Sequence, residues 1–436
     1  MATGDYFDVT SPLGRGPVTE VSGEMPADIP ADMSTDEQVY CGGFRNGETI
    51  LDMFKDLVYG QHLKARSESV PVALPTQDGS SIKMRSKIAY FEMGPTDPNG
   101  ETILFIHGFL GSAFQYVPVM KEYAERHPKA HLIAIDLPGH GGSDLILGDN
   151  YYKTPDIISE FIRRKHLSNV ALVGSSLGGW VSQGVASESP AVKRVLLVSP
   201  LTITGETSSL PLTVELSLSL FANPDSLGLF EKAFVGFVGG SVGSPGSVSF
   251  EGTLAFLGFK NDLGGACGTP LQDADIALLA LPYVKYGASY GRRWADAERL
   301  NKGRGGWAAQ MKALFGTGLP NPPKRIPAGI PVVALYGGED ALAKKWGFVE
   351  HVGGFFKGKI PQVQLVLLPH AGHAPELGRP DCIADLLDNT DLFDPSKRRA
   401  GHGYTMTGNC HLIPTNIRAF LHEGLFENAD LKLIAH

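Results

Sequence analysis

Cysteine is scarce in this chain. Cys41, Cys267, Cys382 and Cys410 stand far apart, and no two form a C-x-x-C pair. That spacing argues against a zinc site and against a dense disulfide framework. Long apolar runs are missing too. No stretch approaches the ~18 residues that a membrane-spanning helix needs, so no transmembrane segment is expected. The opening MATGDYFDVT has no basic stretch and no apolar core. It does not read as a secretory signal, and a cytoplasmic protein is the expectation. A basic excess is also lacking. The formal net charge is −8, and residues 1–38 carry most of it, with eight acids against the single base Arg15. The rest of the chain is near neutral, which leaves no basic stripe for nucleic acid. The acidic segment reads as a solvated arm rather than a docking tail. No internal repeat is visible.

What is present suits a large globular body. A 436-residue chain with 43% hydrophobic and 19% charged residues can bury a sizeable core, as one large domain or two medium ones. Its 53 Gly and 30 Pro favour a loop-rich fold over a helical bundle. Residues 1–65 are expected to form the acidic arm and a short helix. In that helix Ile50, Leu51, Met53, Phe54, Leu57, Val58 and Leu63 recur mostly at steps of three and four. It lacks the clustered basic face of an interfacial membrane helix. SVPVALP and SSIKMRSKIAYFEMG then alternate around Asp78-Gly79, the signature of a hairpin.

Beyond the hairpin the pattern becomes short apolar strands separated by helices. The strands are TILFIHG (102–108), HLIAIDLPG (131–139), NVALVGSS (169–176), VKRVLLVSP (192–200), IPVVALYGGED (330–340) and VQLVLLPHAGH (363–373). Nearly continuous apolar runs are what a parallel sheet buried on both faces requires. Thr154–Lys165 and Leu177–Ser189 read as intervening helices. The fold class predicted is α/β, a mostly parallel doubly wound sheet. The alternation fails between Pro200 and Ile330, a stretch too long for a structureless loop. An inserted cap over 201–327 is therefore expected. It separates core segments 66–200 and 328–436, with a small irregular insertion near 391–411 and a final helix over Pro414–His422.

Four motifs carry the chemistry, and a fifth segment, DLPGHGGSD, lies among them. In LVGSSLGGW, residues 172–180, the pentapeptide Gly174-Ser175-Ser176-Leu177-Gly178 fits G-x-S-x-G. Centring on Ser175 instead would need glycine where Val173 and Leu177 stand. The motif follows a strand and opens a helix, the context a nucleophile elbow needs. Upstream, His107-Gly108-Phe109-Leu110-Gly111 ends a strand. DLPGHGGSD (136–144) ends the next, and there Asp136 and His140 are better read as fixing a Gly-rich turn than as catalytic groups, with Ser143 or Asp144 suited to capping a helix. LYGGEDAL and LPHAGHAPE end the last two strands.

Together, in this order, these motifs resemble the α/β-hydrolase family over roughly Val70–Leu201 and Ile330–Leu421. The resemblance implies Ser176 as nucleophile, His373 as general base and Asp340 as the acid that orients the histidine. Glu339 and His370 are the rivals at the last two positions. It also implies an oxyanion hole from the backbone N–H groups of Phe109 and Leu177. His107 is expected to shape its loop rather than carry a proton.

Such a triad activates a serine hydroxyl that is a poor nucleophile alone. A serine at the elbow argues against the epoxide-hydrolase and haloalkane-dehalogenase branches, which need a carboxylate there. The expected activity is hydrolysis of a carboxylic ester of a fairly hydrophobic small molecule through an acyl-serine. C–C bond, thioester or amide hydrolysis is the alternative, and a binding protein without chemistry is disfavoured by the intact triad. No metal and no organic cofactor are expected. The Leu- and Phe-rich cap, including Phe221 and Phe234, is expected to roof an apolar pocket.

Overall fold

The computed structural model describes residues 48–75, 81–97, 100–108, 111–144, 153–200, 275, 325–340, 362–369, 371–397 and 402–416. The acidic arm and nearly all of the expected cap lie outside the described residues. So do Phe109, Leu110 and His370.

The amphipathic segment forms helix α1, Ile50–Tyr59, with Ile50, Met53, Phe54 and Leu57 buried. Its start is set by a reciprocal Thr49–Asp52 capping box. The helix stops short of Leu63 because Gly60 and Gln61 turn the chain, Gln61 with φ 59°. Asp275, within the expected cap, accepts a hydrogen bond from the Ile50 N–H at 2.5 Å.

Strands β1 (Leu63–Pro75) and β2 (Ser81–Met93) form the expected antiparallel hairpin, in register from Leu63↔Met93 to Pro75↔Ser81. The turn residues 76–80, with Asp78-Gly79, lie outside the described residues. The α/β segment follows as β3 (Thr102–Ile106), α2 (Val117–Arg126), β4 (His131–Ile135), α3 (Thr154–Arg164), β5 (Val170–Ser175), α4 (Leu177–Glu188) and β6 (Val192–Val198). The chain returns with β7 (Val332–Gly337), β8 (Val363–Leu368), the single-turn α5 (Pro375–Gly378) and α6 (Pro380–Asp388).

Strands β3 to β8 pair in parallel at the centre of a sheet ordered β1-β2-β4-β3-β5-β6-β7-β8-β9-β10. Alternate residues of each central strand enter different cores. Leu104 and Ile106 join Phe161, Trp180 and Val181 of α3 and α4 on one face. Ile103 and Phe105 join Phe54, Met120, Ile383 and Leu387 on the other. Burial on both faces explains why these strands are apolar throughout. Ile326, at the end of the expected cap segment, packs into the first core.

The carboxyl-terminal part differs from expectation. The segment read as an irregular insertion supplies β9 (His402–Met406), which pairs in parallel with β8. Of the helix expected over Pro414–His422, residues 414–416 belong instead to strand β10 (Leu412–Asn416), antiparallel to β9, and residues 417–422 lie outside the described residues. A proline tolerated at a helix start is equally tolerated on an outer strand, where its missing N–H is not needed. The hairpin is tied down by a disulfide, Cys382–Cys410, with Cα atoms 5.0 Å apart across 28 residues. Beside it the buried Arg379 guanidinium bonds Asp381 at 2.8 Å and the Gly408 carbonyl at 2.8 Å.

Candidate active site

In a parallel sheet the loops at the carboxyl edge form the ligand crevice. The ends of β3, β5, β7 and β8 bring the four sequence motifs to that edge.

Ser176 follows β5 directly and is the N-cap of α4, with φ 50° and ψ −114°. A non-glycine residue with positive φ costs of order 1–3 kcal/mol and marks a site whose surroundings enforce it. The enforcement is steric and local. A Cβ at Gly174 would lie 2.2 Å from Ser182 Oγ and 2.4 Å from the Gly178 carbonyl oxygen. A Cβ at Gly178 would lie 2.0 Å from the Ile106 carbonyl oxygen. Only glycine at both positions lets strand, helix and the β3 end pass this closely. Ser175, the rival in register, is the last residue of β5 and is buried. Ser176 is less buried than Ser175.

Leu177 opens α4. The N–H of a first helical residue has no acceptor within its own helix and can serve an anion. The partner loop lies alongside, for a Cβ built on Gly108 would be 3.2 Å from Ser176 Cβ.

β7 ends at Gly337 and turns through Gly338 and Glu339 to Asp340. Asp340 is fully buried, and its Oδ2 lies 2.8 Å from His373 Nδ1. Its rival Glu339 is only half-buried. His373 follows β8 through Ala371 and Gly372 and is itself buried. With Nδ1–H donated to the carboxylate, its Nε2 is the nitrogen that accepts a proton.

The remaining polar residues of the motifs hold loops. His107 accepts the Leu137 N–H at Nε2, 2.9 Å, so its Nδ1–H donates to the Gly108 carbonyl at 2.7 Å. Burial pushes its pKa down to about 4 despite that backbone bond. Burial likewise pushes His140 down to about 3, helped by the neighbouring His107. Both rings are therefore neutral at pH 7, and their centroids are 5.1 Å apart. Asp136 accepts the N–H groups of Ala113 and Gly142 at 2.7 and 2.9 Å. Ser143 and Asp144 cap no described helix. Their side chains accept the N–H groups of Ala89 and Lys87 on β2.

Two residues at this edge were not singled out in the sequence. Gln115 and Glu376, 261 positions apart, are both buried and hydrogen-bonded to each other behind the elbow. Among the described residues the one cluster with metal-ligand types is Asp381, Cys382 and Cys410. Its two sulfurs are joined to each other and its carboxylate is held by Arg379, which does not suit an ion. A surface cavity of about 470 Å³, lined among others by Tyr123, Arg126 and His131, lies at the amino ends of β3 and β4, and Ser176, Asp340 and His373 do not line it.

Residues 101–379 match the family described as alpha/beta hydrolase fold. A 2-succinyl-6-hydroxy-2,4-cyclohexadiene-1-carboxylate synthase of Escherichia coli is 33% identical over 89 residues, 20% of this chain and 34% of its own length. An (E)-2-((N-methylformamido)methylene)succinate hydrolase of Acinetobacter baylyi is 34% identical over 112 residues, 25% of this chain and 40% of its own. The chain thus spans well under half the length of these relatives. Among solved structures, Cfl2 from Burkholderia cenocepacia superposes with a TM-score of 0.50 at 19% identity, covering 76% of this chain and 96% of that one. The epoxide hydrolase VrEH1 from Vigna radiata gives 0.50 at 16% identity, covering 76% and 98%. At these identities the likeness is one of fold.

Proposed function

Because the chain belongs to the α/β-hydrolase fold family, we propose that it is a serine hydrolase acting on a carboxylic ester of a fairly hydrophobic small molecule. Two observations carry this: His373 and Asp340 form a buried pair 2.8 Å apart, and Ser176 is held at positive φ on an elbow at the same carboxyl edge of the sheet. Ser176 Oγ attacks the carbonyl carbon while His373 Nε2 takes its proton. Asp340 holds the tautomer and stabilises the imidazolium. The N–H groups of Leu177 and Phe109 receive the oxyanion. Collapse expels the alcohol, protonated by His373, and leaves an acyl-serine that water then hydrolyses by the same steps. No step calls for a metal or an organic cofactor.

The segment 201–327 is proposed as the cap over this crevice, between core segments 66–200 and 328–436. Its Leu and Phe content suits apolar acyl or alkyl groups. Among the described residues no helix is long and apolar enough to cross a membrane. The Cys382–Cys410 bond favours an oxidising compartment over the cytoplasmic placement expected from the sequence.

A second function uses the same triad on an amide, thioester or C–C bond. The partial relatives favour it, since neither is an ester hydrolase by name. A panel of acyl esters of graded chain length, run beside amide, thioester and diketone substrates with a Ser176→Ala control, separates the two. Turnover of none of these, or turnover surviving in Ser176→Ala, would refute the proposal.

A further inference from the structure

The oxyanion loop, the elbow and the histidine loop come from three distant parts of the chain. Catalysis by preorganised donors requires their relative placement to be held before substrate arrives. One buried polar pair, Gln115 and Glu376, links all three. Glu376 lies three residues beyond His373, on α5, and is fully buried. Its Oε1 accepts a hydrogen bond from Gln115 Nε2. The same Nε2 lies 3.5 Å from Ser175 Oγ, on the residue just before the nucleophile. Gln115 Oε1 in turn accepts the Gly108 N–H at 3.4 Å. Next to Gln115, the Tyr116 hydroxyl donates to the Ile106 carbonyl at the end of β3, 3.2 Å away.

We propose that Glu376 is a positioning residue which, through Gln115, holds the Gly108 turn against the nucleophile elbow and so presets the oxyanion hole. The proposal rests on the serine-hydrolase function put forward above and deepens it. Glu376 does not touch the reacting atoms. Its effect passes through the Gly108 turn, which packs against Ser176. Buried carboxyls are costly, and a purely apolar side chain would fill this space more cheaply. A carboxyl here makes sense where a directional bond to Gln115 is needed. Its other oxygen, Oε2, is buried with no hydrogen-bond partner. Burial raises the Glu376 pKa, against the opposing influence of Ser175, its own backbone N–H, Gln115 and His373. The property the link uses is the Oε1 acceptor offered to Gln115.

The test measures steady-state hydrolysis of p-nitrophenyl butyrate and the rate of fluorophosphonate labelling of Ser176, in wild type, Glu376→Ala and Glu376→Gln. Both reactions build negative charge on the oxygen in the hole. A loop displaced by the order of an ångström lowers kcat by about 10- to 100-fold. Glu376→Ala is expected to show that loss, with labelling slowed in parallel and KM changed less than about threefold, because substrate binding is not what the link serves. Glu376→Gln, which keeps an acceptor oxygen for Gln115, is expected to recover most of the lost kcat. Gln115→Met, of similar volume, cuts the same link from the other side and carries the comparison if Glu376→Ala does not fold. A lower melting temperature with wild-type kcat and labelling in Glu376→Ala or Gln115→Met would overturn the proposal. So would Glu376→Gln losing as much as Glu376→Ala, which would make the charge the active property. If wild type itself is neither labelled at Ser176 nor active on any ester, the serine-hydrolase function fails first and takes this proposal with it.

Discussion

Replacing Asp340 by Asn perturbs one proton and almost no volume. The Asp340 Oδ2 that accepts from His373 Nδ1 at 2.8 Å is wholly out of water. An amide there can turn its NH2 group toward the ring. Nδ1 then becomes the acceptor, the proton moves to Nε2, and the histidine can no longer take a proton from Ser176. The imidazolium formed during attack also loses its buried counter-charge. The analogous acid-to-amide change in a Ser-His-Asp protease lowers kcat about 10⁴-fold. That factor corresponds to roughly 5.5 kcal/mol of barrier. We expect a loss of the same order in Asp340→Asn, with a melting temperature near wild type. Glu339→Gln, altering a half-buried neighbour that lies outside this bond, is expected to stay within about threefold, as surface-type changes do. The assay is kcat on a p-nitrophenyl ester across pH 6–9, with near-UV circular dichroism to confirm the fold. An Asp340→Asn enzyme within tenfold of wild type would refute the reasoning, and a crippled Glu339→Gln would transfer the role to its neighbour.

A fluorophosphonate should form a single adduct that peptide mass spectrometry places on Ser176. An adduct on Ser175 would shift the elbow register and contradict the φ of 50° as the sign of the nucleophile. Stability should fall with acid from two buried neutral histidines. The folded pKa values of His107 and His140, about 4 and about 3, lie below the 6.5 of a free imidazole. Their contribution is therefore full above pH 6.5 and is lost as pH drops toward those values, by up to about 1.4 kcal/mol per pH unit for each ring. Urea midpoints at pH 7.5, 6 and 5 check this, and a midpoint that rises on acidification would contradict it. Glu92, held at about 2 by His131, Lys165 and Arg66 against its burial, adds a further loss between pH 4.5 and 2. Removing the disulfide in a Cys382→Ala, Cys410→Ala double variant should cost about 3.5 kcal/mol for a 28-residue loop. Equal urea midpoints in the oxidised wild type and the variant would count against the crosslink.

The central strands and the elbow were legible because each is written locally. An apolar run needs no partner to be recognised, and Gly174 and Gly178 stand two residues either side of Ser176. Choosing Asp340 over Glu339 was harder, since a one-residue shift of the turn exchanges them. It took the family's habit to choose; in the fold it is Asp340 whose carboxylate meets His373. What could not be read depends on distant pairing. Cys382 finds Cys410 across 28 residues, and Gln115 meets Glu376 across 261. No local pattern signals either. The strands β9 and β10 were missed because five residues containing Gly or Pro carry too little periodicity to outweigh a helix-start proline.

Both rims of the sheet end in hairpins whose outermost strand contains a proline, Pro71 in β1 and Pro414 in β10. A strand with open N–H and C=O groups invites another chain to pair with it. A proline interrupts that invitation, because it offers no N–H and its ring obstructs an approaching backbone. On β1 the flanking Lys64, Arg66 and Glu68 add charges that an incoming strand would have to accommodate. Among the described residues, a ten-stranded sheet rich in valine, isoleucine and leucine thus carries at both rims a break in the pattern an edge-to-edge partner would need.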